Sequence, residues 1–371
     1  MLVITIIILT AYCALLIRFS TSIYFHRNNK NLEYTPNVSI IVACRNEERN
    51  IPALFDLLIQ QNYPINKFEV VVVNDRSYDQ SKTLLESYQE KYSNIKLINI
   101  DNTPIGWSNK KWALNQAIKS STSDILIQTD GDCRPHLDWI KTMAAHFKNP
   151  KVGFVCGASP LIHKDAILNN LFQMESLIQE SINAGAIKNN LILSCTGRNI
   201  AFRKKYFNLI NGYLGSESIA SGDDDLLLQK FALESDCLVS YSMNPKSLVD
   251  SSAPNTFQEL IKQRLRFASK GLLYYKMNTT GELKSILILL FAANISFIFS
   301  LFYLVSFGYL FYIIPIMLKM FADFLLSSTF VVKVKRHWSL LAFFILTVVH
   351  PFYIVVVGAL GPFIKVKWKE K

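Results

Sequence analysis

Apolar positions along this chain fall into two patterns: long unbroken runs near the two ends, and short runs punctuated by polar clusters between them. The first run starts at Met1, stays largely apolar to Ile17 and continues through Ser, Thr and aromatic residues to Phe25. Nothing positive precedes Arg18, so the run lacks the charged start of a secretory signal; it predicts a spanning helix over residues 1–25 with Arg18 snorkelling to the interface. Residues 285–332 carry only Lys319 and Asp323 as charges. A span takes about 20 residues, so this stretch predicts two spans with a break near Ser306–Pro315. Leu340–Gly361 predicts a third, interrupted by His350-Pro351. The C-terminal membrane region, of two or three helices, is therefore placed at 284–364, with a basic tail at 365–371. Lys319 and Asp323 share a helical face, and either pair inside the bilayer or lie together near a helix end.

The middle region, placed at 36–283, alternates strand and helix signals. Val38–Cys44 and Phe68–Asp75 are short apolar runs of the buried-strand type. Between them, Ile51, Leu54, Leu57 and Leu58 form a helical stripe in Asn50–Gln61. A helix (Gln80–Lys91), a strand (Ile95–Ile100), a helix (Asn109–Lys119) and a strand (Asp124–Gln128) follow. This order predicts an α/β fold with a mostly parallel sheet covered on both faces. Ligands of such sheets bind at the carboxyl ends of the strands. The residues to examine are therefore Arg45-Asn46-Glu47-Glu48, Asn74–Asp79 and Thr129–Asp132. No glycine-rich phosphate loop follows any strand, so an anionic nucleotide would have to be held by a divalent cation and basic side chains.

Two acidic motifs fit that requirement. Asp130-Gly131-Asp132 ends the fourth strand, where both carboxylates can approach Mg²⁺ or Mn²⁺ on a diphosphate. Asp223-Asp224-Asp225 stands directly before an apolar helical stretch. One aspartate there would satisfy helix capping; three beside a second acidic site suggest that one is a general base. Gln263–Phe267 reads either as a basic amphipathic helix on a membrane surface or as arginine contacts to a diphosphate.

Charge sharpens the picture. The formal net charge of +11, with half the residues hydrophobic, invites a nucleic-acid reading. Resolved along the chain, residues 1–33 carry +2, 284–332 carry +1 and 333–371 carry +6, leaving +2 for 34–283. Basic residues beside apolar runs orient a chain in a bilayer, and there is no case for DNA or RNA. With the middle domain cytosolic, His26–Lys30 and Lys333–Arg336 fall inside as expected. The tail then lands outside, unless His350-Pro351 marks a re-entrant or interfacial segment. Six cysteines without CxxC spacing argue against zinc and suit a reducing compartment.

Taken in order, Val38–Glu48, Val72–Asp79, Gly106–Asn115, Asp130-Gly131-Asp132, Gly197–Phe202, Gly222–Asp225 and Gln263–Phe267 resemble the inverting family 2 glycosyltransferases. That superfamily includes the cellulose, chitin and hyaluronan synthases, and the likeness covers about Pro36–Leu273. It implies a GT-A fold, Rossmann-like, with flanking transmembrane helices. It implies a nucleotide-sugar donor, a UDP-sugar, held near Asn46, Glu47, Asp75, Lys110 and Asp130. By the same likeness Asp132, with Asp130, takes the cation, and Asp224 is the base among Asp223, Asp224 and Asp225. Gln263, Arg264, Arg266 and Phe267 would serve diphosphate and acceptor, with Phe267 standing where the family has Trp.

The implied activity is metal-dependent inverting transfer of a hexosyl or N-acetylhexosaminyl group to a lipid-linked or glycan acceptor. The place is the cytosolic face of a bacterial inner membrane; transfer to a lipid-linked or short acceptor is favoured over polymer secretion. Two other classes compete. A membrane nucleotidyltransferase would show a Gly- and Arg-rich loop after the first strand, which Ala43–Glu48 is not. A degenerate scaffold of a polysaccharide synthase is opposed by the intact aspartates, with Phe267 the one feature on its side. The sequence identifies no partner subunit.

Overall fold

The computed structural model describes residues 1–28 and 32–363. The basic tail expected at 365–371 and the Lys30 end of the first basic cluster lie outside the described residues. The chain divides into two compact units: Arg27–Ile162 with Ser194–Ser252, and Met1–His26 with His163–Leu193 and Ala253–Lys371.

The first unit holds all ten strands found among the described residues. They are β1 (Val38–Cys44), β2 (Phe68–Asp75), β3 (Ile95–Ile100), β4 (Ile125–Asp130), β5 (Cys133–Pro135), β6 (Val152–Gly157), β7 (Leu161–Ile162), β8 (Ile200–Arg203), β9 (Leu238–Ser242) and β10 (Val249–Ser252). Seven form one sheet in the order β3-β2-β1-β4-β8-β6-β9, and β5-β10-β7 form a small second sheet. The four leading strands are parallel, with Val38 opposite both Phe68 and Ile125. This register aligns their carboxyl ends, setting Cys44 beside Asn74 and Ala43 beside Asp130. Their apolar runs are buried because helices cover the sheet. Ile51, Leu54, Phe55 and Leu58 of the helix Ile51–Ile59 join Val38, Ile40, Val42, Val70 and Val72 in one core.

The expected mostly parallel sheet is thus present, with one addition. Strand β8 is antiparallel to both of its neighbours, β4 and β6. Running backwards, it delivers the preceding residues Thr196–Asn199 to the carboxyl rim, where Gln128 pairs with Ile200.

The second unit holds four helices long and apolar enough to cross a membrane: Leu2–Phe25, Gly281–Phe307, Leu310–Lys333 and Leu340–Leu360. The expected break falls at Gly308, which caps the second of these in the left-handed region at φ 66°. The expected interruption at His350-Pro351 does not occur; the helix Leu340–Leu360 runs through Pro351. A proline removes one donor without ending a helix when neighbouring groups meet the freed backbone. Lys319 and Asp323 do pair, at 2.7 Å, and the Tyr12 hydroxyl donates to the same carboxylate. Lys319 also lies 5.5 Å from the ring centres of Tyr12 and Phe297. The helix Ala166–Lys188 folds with these apolar helices. A methyl on Gly185 would collide with the Phe19 Cβ, so only glycine permits that approach of the two helices.

Candidate active site

The carboxyl rim of the sheet gathers the acidic residues in a definite arrangement. Asp130, the last residue of β4, and Asp223 each lie 2.9 Å from the Lys110 ammonium. Lys110 sits in the first turn of the helix Asn109–Ser120, which aims it along the sheet edge. Asp223 also accepts weakly from Gln128 Nε2 at 3.5 Å, and the same amide donates to the Gly197 carbonyl at 3.2 Å. Asp224 accepts from the backbone N–H groups of Gly197 and Asp225, both at 2.8 Å. Thr129 Oγ1 donates to the Arg198 carbonyl at 2.9 Å. The loop before β8 therefore ties the Asp130 strand to the aspartate triplet.

Three carboxylates, Asp130, Asp223 and Asp224, act on one ammonium, and a fourth, Asp132, acts on Asp130. Burial works against charge on Lys110, and Asp130, Asp223 and Asp224 overcome it, holding its ammonium above the ordinary value. Burial raises the Asp130 carboxyl, Lys110 opposes it, and Asp223 and Asp132 add to it. The excess of negative charge is the condition a divalent cation relieves. Asp132 has the freest carboxylate of the set, with only long contacts to Ser251 at 3.5 Å and the Cys133 thiol at 3.8 Å. No cluster of three or more metal-ligating side chains exists among the described residues. The donor set thus fits a hard cation that draws further oxygen ligands from a bound diphosphate, and does not fit an all-protein cage. Asp224 is also the N-cap of the helix Asp225–Glu234, whose first residue, Asp225, accepts from Leu226 N and is 2 % exposed.

The rims of β1 and β2 are laced together. Asn46, at φ 55°, accepts from Tyr78 N at 3.0 Å and donates through its own N–H to Ser77 Oγ at 3.0 Å. Glu47 accepts from Asn50 at 2.8 Å and its N–H donates to Ser81 Oγ at 2.8 Å. Asp75 is 1 % exposed; Arg76 holds its Oδ1 at 2.8 Å, while its buried Oδ2 accepts no hydrogen bond. Gln263, Arg264, Arg266 and Phe267 belong to the other unit, on the amphipathic helix Phe257–Ala268. There Arg264 is buried and paired with Glu175 at 2.5 Å, whereas Arg266 lies 5.0 Å over the exposed ring of Phe267.

Sequence reasoning brought Lys110, Asp130, Asp223 and Asp224 to one rim and missed Gln128 and Tyr213. Gln128 had a signal: it is a polar residue inside a buried strand. Tyr213 had none, although its buried hydroxyl lacks a partner and burial, with Asp223, pushes its phenol well above the ordinary value. Tyr213 also lines a cavity of about 410 Å³ with Trp107, Asn115 and Phe207, and none of the four carboxylates lines it.

Residues 39–210 match the model of the glycosyl transferase family 2 domain. The probable glycosyltransferase YdaM of Bacillus subtilis is 24% identical over 330 residues, covering 86% of this chain and 76% of that protein. The poly-beta-1,6-N-acetyl-D-glucosamine synthase of Staphylococcus epidermidis is 25% identical over 259 residues, 68% of this chain and 58% of the synthase. Among solved structures, the mannosyltransferase PcManGT of Pyrobaculum calidifontis, in complex with GDP-Man and Mn²⁺, superposes with a TM-score of 0.61 at 18% identity over the whole of both chains. Residues 39–210 are a family 2 glycosyltransferase domain on the GT-A fold, and the chain is a glycosyltransferase.

Proposed function

We propose that the chain transfers a hexosyl or N-acetylhexosaminyl group from a nucleotide-diphospho-sugar, a UDP-sugar, to a lipid-linked or short glycan acceptor. The reaction takes place at the cytosolic face of a bacterial inner membrane and inverts the anomeric carbon. The observation that carries this reading is the Lys110 ammonium between Asp130 and Asp223 at the carboxyl rim. The GDP-Man and Mn²⁺ bound to PcManGT support a nucleotide-sugar donor and a cation, and the name of the synthase relative supports a glycan product.

In this mechanism Asp75 Oδ2, which accepts no hydrogen bond and lies 4.0 Å from the Arg45 guanidinium, receives a nucleobase N–H, with Asn46 and Glu47 shaping the nucleoside pocket. Asp132, with Asp130, would hold a divalent cation, Mg²⁺ or Mn²⁺, which would supply charge neutralisation at the leaving diphosphate. Lys110 adds a second positive charge to the departing group. Asp224 is oriented by two backbone N–H donors and keeps a free lone pair on each oxygen. It takes the acceptor proton as the hydroxyl oxygen bonds to the anomeric carbon, and the bond to the diphosphate breaks with its electron pair. Gln263, Arg264, Arg266 and Phe267 serve the diphosphate and acceptor by the family resemblance.

The test is transfer of radiolabel from a panel of nucleotide sugars into membrane lipid extract, with and without EDTA. One donor should label the extract, EDTA should stop it, and Asp224→Asn and Asp132→Ala should each cost about 10³-fold or more. Nucleotide binding without turnover in the native protein would replace this reading with the scaffold; near-normal turnover in either variant would remove that residue from its role.

A further inference from the structure

Three helix ends converge within one turn of the apolar-helix unit, and each brings a basic side chain. Helix Leu2–Phe25 ends at His26, helix Ala166–Lys188 ends at Lys188, and helix Ile313–Lys333 ends at Lys333. Hydrogen bonds fix the convergence. Asn189 Nδ2 donates to Ser22 Oγ at 3.0 Å, Arg18 Nε donates to Asn189 Oδ1 at 2.8 Å, and Lys333 Nζ donates to the Tyr24 carbonyl at 3.2 Å. His26, Lys188 and Lys333 are all half-buried.

The cluster is one-sided in charge. Burial, and after it the charge of Lys333, holds the Lys188 ammonium below its ordinary value. Burial, Lys188 and Lys333 together lower His26 to about 4. No carboxylate is among the groups that face either residue, and Lys188 makes no hydrogen bond or ion pair among the described residues. Helix C-termini favour one cation each, which accounts for single lysines at these positions but not for their being brought together without a counter-ion.

We propose that His26, Lys188 and Lys333, flanked by Arg18, form a binding site for the phosphate of an anionic lipid headgroup. Like charges gathered in a half-buried place are costly unless an anion shares them, and a phosphate offers several acceptor oxygens at once. The site lies at the ends of two helices apolar enough to span a bilayer, where headgroup phosphates are found. It uses none of the donor and acceptor residues and does not depend on the sugar transferred.

The full chain in detergent is titrated with phosphatidylglycerol or phosphatidylcholine and followed by thermal unfolding. Phosphatidylglycerol should raise the melting temperature of the native protein in a saturable way, and phosphatidylcholine should not. Lys188→Gln/Lys333→Gln should raise the half-saturating phosphatidylglycerol concentration about 10- to 30-fold, since each lysine near an anionic surface contributes about fivefold. Lys188→Glu places a carboxylate beside Lys333, so it should melt higher than the native protein without lipid and gain little from phosphatidylglycerol. Lys82→Gln, which removes only an exposed pair with Glu86, should respond as the native protein does. A native protein indifferent to phosphatidylglycerol, or a double variant with the native response, overturns the site. Inorganic phosphate that reproduces the full gain overturns the assignment to a lipid.

Discussion

Two paired lysines, Lys110 half-buried at the sheet rim and Lys319 buried among the apolar helices, meet carboxylates in opposite proportions. Lys319 faces one carboxylate, Asp323, whose other oxygen accepts from Tyr12, so its charge is closed within the protein. Lys110 faces two at bonding distance, with Asp132 and Asp224 nearby, so negative charge is left over. Their exposures differ in the same sense, 4% for the Lys319 side chain and 14% for Lys110. A closed pair in a bundle holds helices together, whereas an open excess at the mouth of a parallel sheet waits for a ligand. Being paired does not separate the two cases; what remains unpaired does.

The sharpest way to break the comparison is to remove each lysine in turn. Lys110→Met should lower kcat/KM for sugar transfer by about 10²- to 10³-fold, as expected for a charge that stabilises a leaving group. Lys319→Met should leave kcat per folded molecule nearly unchanged. An equal loss in both, measured at matched folded fraction, would end the distinction.

The next effect is on stability. Lys319→Met strands Asp323 among apolar helices and should cost about 3–5 kcal/mol, read as a fall in thermal stability in detergent. The double change Lys319→Met/Asp323→Leu should recover most of it. Tyr12→Phe removes one interhelical hydrogen bond and should cost about 1 kcal/mol, as such bonds do inside membranes.

The smallest effect comes from a carboxylate held mainly by hydrogen bonds, with the charge of Lys96 a smaller contribution. Burial opposes ionisation of Glu69, but hydrogen bonds from Ser39 at 2.6 Å and from Thr122 N and Oγ1 at 2.6 and 2.7 Å outweigh it. Its carboxyl therefore lies below the ordinary 4.5. A lowered folded value means the contribution to stability is fully present above pH 4.5 and is lost as pH falls through that lower value. Glu69→Gln should flatten the acid limb of the melting curve, while leaving the sugar-transfer rate at neutral pH alone.

Much of the fold and the site was legible in the sequence, for physical reasons. The bounds of β1 and β2 followed from apolar runs ended by polar rims, because a strand buried on both faces has little choice of composition, while the edge strand β3 keeps Lys96 and Asn99 exposed. Asp130 was readable because an acid at a strand end has few places to go in a parallel sheet, Asp223 and Asp224 because three acids precede an apolar helical stretch, and Lys110 only through the family resemblance. The helix Ala166–Lys188 escaped, since it mixes buried Glu180 and Asn183 with its apolar positions. Strand β8 escaped because four residues give too short a period to read. The carboxylate partners of Arg264 and Lys319 were of unequal visibility: Asp323 lies one helical turn away, while Glu175 is 89 residues distant.

The glycine between Asp130 and Asp132 sets a thickness. A methyl there would stand 3.0 Å from Glu47 Cγ and 3.3 Å from Cys44 Sγ, so the turn lies flat against the rim of β1. Its backbone is not in the left-handed region, so a side chain there is opposed by this close approach and not by backbone strain. The turn thus behaves as a shim, governing how near Asp130 and Asp132, the carboxylates proposed for the cation, come to the strand whose rim carries the proposed nucleoside residues. A thicker shim would push apart the two halves of the proposed donor site without changing any of its charged residues.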